Sequence, residues 1–164
     1  MITRAIHPVA AIQSELSLWT RDALGQDSDT VQSAPGNVVT WCRDHDAIFV
    51  PFSPLGRGFL TGELKVDQLD ESDLRTSLPR FTGAAATQNL ALLDTIQRVA
   101  QRHNTTAAAI ALAWVLDQGP HVIPIPGTTK SARLDENLSA AAIPLTRQDL
   151  TELNALPAAI GGRY

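Results

Sequence analysis

Three short apolar runs punctuate the chain: VAAIQ at 9–13, AIFVPFS at 47–53 and HVIPI at 121–125. Each is too short for a helix, and unbroken apolarity suits a strand covered on both faces, as in parallel sheets. Helical spacing fills the intervals. VVTWCRDHD at 38–46 sets Val38, Val39 and Cys42 on one face. Leu90, Leu92, Leu93, Ile96, Val99 and Ala100 recur at three- and four-residue steps and predict an amphipathic helix ending near His103. Asn104 or Thr105 is placed to cap the next helix, whose buried stripe is Ala107, Ile110, Ala111 and Trp114 and which stops at Gly119-Pro120. A further helix is expected from Ser131 or Ala132. The last starts at Thr146, where TRQD pairs Thr146 with Asp149 in the manner of a capping box.

Two stretches carry no such period. Residues 20–37 are polar and rich in Gly and Ser. Residues 62–87 are mostly polar, include Pro79 and Gly83, and are long for an idle connector, so they read as a lid or belt. Short buried strands separated by helices predict a parallel α/β layout.

Composition narrows the class. A chain of 164 residues suits one domain, here 1–164, and a 44% hydrophobic, 18% charged composition is that of a globular protein. A net charge of −4 argues against a nucleic-acid or anionic-membrane surface. Cys42 stands alone, so no internal disulfide or cysteine metal cluster can form, and it reads as a small core residue. His7, His45, His103 and His121 are scattered without ligand spacing, so no metal site is expected. MITRAIHPVAAIQSEL lacks the apolar core of a secretory signal, and AAAIALAWVL is too short to span a bilayer. A cytoplasmic location is the expectation.

The chemistry concentrates in VIPIPGTTKSARLDEN, 122–137. A strand ends, the chain turns at Gly127, and Thr128, Thr129, Lys130, Ser131 and Arg133 arrive where a helix begins. A helix start offers unpaired amides and the positive end of a dipole, so hydroxyls and cations there make a local anion site. Gly127 lets backbone come close, the threonines donate, and Lys130 and Arg133 bring charge. No GxGxxG follows any strand, which argues against a Rossmann-type site.

With IQSELSLWTRD and FVPFSPLGRGFLTGEL, this stretch resembles three consecutive signatures of the aldo-keto reductases, in the family's order and over nearly the whole chain. The resemblance implies an α/β chain forming part of a (β/α)8 TIM barrel, about three strand–helix units corresponding to strands 6–8, with NADP(H) extended across the strand ends. It implies that Gln13 bonds the nicotinamide carboxamide and Phe52 stacks on the ring. Ser53, Leu55 and Gly56 would line the pyrophosphate, with Arg57 and Leu60 nearby in the belt. Gly127, Thr128, Thr129, Lys130 and Arg133 would hold the adenosine 2′-phosphate, and Glu136 and Asn137 the adenine. Each has a plainer reading: Phe52 as core, Gln13 as a strand-end cap, Lys130 and Arg133 as a solvated helix face.

The sequence departs from the family in two places. Leu16 stands where a Tyr is common, and the connection at 23–37 is longer than usual. The family's reaction also uses a Tyr general acid tuned by Lys and Asp, with a nearby His, because hydride arriving at a carbonyl carbon makes an alkoxide that must be protonated. The one tyrosine is Tyr164 and the lysines are Lys65 and Lys130, so no Tyr–Lys pair can be assembled. A complete barrel also takes about 250 residues. The expectation is therefore the cofactor-binding C-terminal half of a carbonyl reductase. It would act on an aldehyde or ketone only within a complete barrel, through a complementary N-terminal half or a homo-oligomer. The alternative is a catalytically silent NADP(H)-binding module or split-barrel subunit.

Overall fold

The computed structural model describes residues 7–26 and 37–162. The longer connection at 23–37 and Tyr164 thus fall wholly or partly outside the described residues. Two strands, β1 (Ala11–Glu15) and β2 (Ile48–Phe52), pair in parallel with Ala11 opposite Ile48 and Glu15 opposite Phe52. The helix α1 (Val38–Asp44) joins them, capped by Asn37, whose side chain accepts from Thr40 N.

The expected third strand is weaker than a strand. Residues 121–125 do run along the free side of β2: Phe49 N donates to His121 O at 2.8 Å, and Ile123 N to Phe49 O at 2.9 Å. Ile125 N then donates to Pro51 O at 3.1 Å. The bond between these last two would come from residue 51, and Pro51 has no N–H to give. The ladder therefore shrinks to one parallel bridge, Phe49 with Val122. Ile123 and Ile125 turn their N–H groups toward β2, which leaves Pro124 and Pro126 facing the outer edge without donors.

Two helices supply the largest share of the core. The first, α2 (Gly83–Arg102), starts earlier than its apolar period, because Ala84, Ala85 and Ala86 are strong helix formers on an open first turn. It packs on α3 (Ala107–Leu116), where Thr106 is the cap, in place of the expected Asn104 or Thr105, and accepts from Ala109 N at 3.2 Å. The predicted stripe on α3 widens to the whole circumference: Ala107 through Val115 are all buried. A helix apolar on every side is a central helix. Leu92, Ile96 and Val99 come from α2, Ala140 from the segment after α4 (Ser131–Ser139), and Phe59 and Leu60 from the loop after β2. The final helix, α5 (Arg147–Asn154), carries the predicted capping box between Thr146 and Asp149. No helix among the described residues is long and apolar enough to cross a membrane.

Candidate functional site

The site grows from the loop after β2. Ser53, Gly56, Arg57, Gly58 and Gly62 all have positive φ, so this loop takes left-handed turns at these five positions. Gly56 needs to be glycine: at φ +56 a Cβ would stand 3.3 Å from Leu60 Cγ and 3.5 Å from Trp19 Cε2. Ser53 (φ 48) and Arg57 (φ 54) hold the same conformation with side chains, at a cost of order 1–2 kcal/mol each. The rest of the loop supports that strain. Phe59 packs on Trp19 with centroids 4.3 Å apart, and Thr61 Oγ1 donates to Gly58 O at 2.8 Å. Arg75 Nη1 donates to Arg57 O at 3.0 Å, and Asp73 grips Arg75. That pairing lowers the Asp73 carboxyl to about 2.

Beneath the loop lies a buried polar chain that the sequence alone did not mark. Arg80 donates to Thr20 Oγ1 at 2.7 Å, Thr20 donates to Glu15 Oε1 at 3.1 Å, and Glu15 faces Arg57 Nη2 at 3.9 Å. Glu15 is 1% exposed at the end of β1. It stands two polar residues past the apolar run, where nothing local signals burial.

The second wall is the start of α4. Lys130 occupies the cap position without a side-chain cap bond, leaving the first amides of the helix without partners inside it. Thr128 shapes the entry, its Oγ1 accepting from Lys130 N at 3.1 Å. A Cβ on Gly127 would meet nothing within 4 Å, so the space before it is open.

The two walls enclose a cleft of about 490 Å³, within the range of small-ligand sites. Of the expected residues, Ser53, Leu55, Arg57, Gly127, Thr128, Arg133, Glu136 and Asn137 line it together. Gly56 and Leu60 are buried in the loop behind it, Phe52 is half-buried at the end of β2, and Gln13 is exposed on β1. These four, with the exposed Thr129 and Lys130, are outside the lining. Gly58, Thr61, Ala108 and Ile125 line the cleft without having been singled out in the sequence. No residue of 62–87 lines it, but that segment braces the loop through Arg75 and reaches the lining residue Arg133 through Glu63. Arg133 brings charge to the cleft and donates to Glu136 on its own helix and to Glu63, just past the loop. Those two carboxylates, Glu63 foremost, raise its pKa. Guanidinium, hydroxyls and free helix amides around an open space can hold an anionic ligand.

Comparison with known proteins places this architecture. The model of the Aldo/keto reductase family matches residues 2–158. The probable aldo-keto reductase 1 of Glycine max is 41% identical over 163 residues, covering 98% of this chain and 44% of that protein. This chain thus spans less than half the length of that relative. The glycerol dehydrogenase AKR11B4 of Gluconobacter oxydans superposes with a TM-score of 0.79 at 27% identity, over 93% of this chain and 43% of its own. A thermostable aldo-keto reductase, Tm1743, solved with the inhibitor epalrestat, shares the fold with a TM-score of 0.62 at 22% identity, over 94% and 42%. The α/β fold is therefore that of aldo-keto reductase structures, with a partial sheet of two parallel strands, and the chain belongs to the Aldo/keto reductase family.

Proposed function

We propose that this chain is the NADP(H)-binding portion of an aldo-keto reductase, contributing strands six to eight of the barrel. One observation carries the reading: two motifs far apart in sequence, Ser53-Pro54-Leu55 with Arg57 and Gly127-Thr128 with Arg133, Glu136 and Asn137, line a single cleft. The donor set suits a dinucleotide with an extra phosphate. Arg133 and the uncapped first turn of α4 take the 2′-phosphate, with Lys130 adding charge from the rim. Ser53 and the left-handed loop take the pyrophosphate. Phe52, at the end of β2, and Gln13, midway along β1, are left for the nicotinamide.

When bound, the cofactor supplies the hydride. The residues of this chain hold and orient it, and proton delivery to the carbonyl oxygen falls to groups this chain does not assemble, since its tyrosine is Tyr164 and its lysines are Lys65 and Lys130. Reduction of an aldehyde or ketone therefore needs a complementary half of the barrel. The same inventory favours a second reading, a catalytically silent NADP(H)-binding module.

Titration of the pure chain with NADPH, followed by quenching of its three tryptophans, tests the binding claim. Saturable quenching by NADPH is expected, and its absence would overturn the reading. Adding a model aldehyde to the same mixture should give no turnover by the chain alone. Turnover at ordinary reductase rates, about 1–10³ s⁻¹, would show that the acid is here after all.

A further inference from the structure

Arg133 is held from both walls of the cleft. Its Nη1 donates to Glu136 Oε2 at 3.2 Å, one turn along α4. Its Nη2 donates to Glu63 Oε2, which comes from the loop opposite. The position of Glu63 is set by its own loop. Its backbone N donates to Thr61 Oγ1 at 3.2 Å, and Thr61 in turn is tied to Gly58 O at 2.8 Å. The strained loop that forms one wall thus delivers a carboxylate to the guanidinium edge that an incoming phosphate would use. Two carboxylates on one guanidinium leave a local charge of the wrong sign for a phosphate. Lys130 is exposed beside that cluster.

Of the two carboxylates, Glu63 is the one that can yield. It is 60% exposed, against 17% for Glu136, so it can swing into water with little penalty. Glu136 is fixed to Arg133 along one helix face and moves with it.

We infer that Glu63 is a specificity-determining residue of the cofactor cleft: it occupies the edge of Arg133 that a 2′-phosphate requires, and so weakens NADP(H) binding relative to NAD(H). The inference rests on the cofactor reading given above. NADH carries a 2′-hydroxyl at that position and has no charge to compete with Glu63. NADPH must displace Glu63 and then sit beside a like charge. An exposed ion pair is worth about 1.4- to 5-fold in an equilibrium, and removing the residual repulsion adds to this.

The test is titration of NADPH and NADH, at low and high salt, on the unaltered chain, on Glu63→Gln, and on Asp94→Asn. Glutamine keeps the shape and an acceptor for Arg133 while removing the charge. Asp94, exposed on α2 and outside the cleft lining, controls for net charge. Expected in Glu63→Gln is NADPH binding about three- to tenfold tighter at low salt, a smaller gain at high salt, and NADH within twofold. Equal gains for both cofactors, an equal gain in Asp94→Asn, or unchanged or weaker NADPH binding in Glu63→Gln would overturn the inference while leaving the cofactor reading intact. No saturable binding by any of the three proteins would overturn both.

Discussion

Asp149 shows how a single residue couples distant parts of the chain. Its carboxylate accepts from Thr146 N and Oγ1 at 2.8 and 2.6 Å, closing the cap of α5. It also accepts from Arg102 Nη2 at 2.7 Å and meets His103 Nε2 at 2.8 Å, at the end of α2. Burial alone would raise its pKa; the bonds from Thr146, His103 and Arg102 outweigh burial and hold the carboxyl well below the usual range. A folded-state pKa below the unfolded one stabilises above the unfolded value, about pH 4, and that stability is lost as pH falls toward the folded value. Asp149→Asn should therefore cost about 1.5–3 kcal/mol at pH 7, measured by urea unfolding, with the gap to the native chain narrowing at pH 3. A gap that stays constant with pH would mean that packing, not charge, carries the effect. The local half of this arrangement was legible as TRQD. Arg102 and His103 were not, because nothing in a sequence marks which distant helix end will face a cap. Glu63 and Glu15 escaped for the same reason: their partners, Arg133 and Arg57, are set by tertiary placement.

At the scale of elements, periodicity served where one face meets water and failed where none does. The later turns of α2, half exposed, could be read from Leu92, Leu93, Ile96 and Val99, whereas its first turn is exposed and left no period to read. The all-buried α3 looked like a stripe because alanines count weakly as apolar, although small residues are what let α2, α4 and the loop after β2 close in on it. The third strand was read from apolarity alone, and apolarity does not register the N–H that Pro51 lacks. The Gly-rich loop was visible as SPLGRGFLTG, but its handedness was not. That handedness gives a direct test. Gly56→Ala must hold a Cβ at φ +56 against Leu60 and Trp19. It should lower stability by about 1–2 kcal/mol in denaturant unfolding, with an unchanged m value. No loss would mean that the loop relaxes and that its left-handed course is not required.

For the molecule as a whole, the architecture puts one cleft where two motifs converge and leaves an apolar groove beside it. Ile123, Ile125, Leu134 and Leu138 stay exposed there, along an edge that Pro124 and Pro126 deprive of donors. In the proposed cofactor reading, Arg133 takes the 2′-phosphate in that cleft. A charge-assisted hydrogen bond of this kind is worth about 1.5–3 kcal/mol, or roughly ten- to hundredfold in affinity. The bond to Glu63 that must first be given up offsets up to about fivefold of that. The deciding measurement is the ratio of NADPH to NADH affinity in Arg133→Ala against the native chain. NADPH binding should weaken by about tenfold and NADH binding should stay nearly unchanged. Equal losses for the two cofactors would contradict the claim and make Arg133 a brace between α4 and the loop instead.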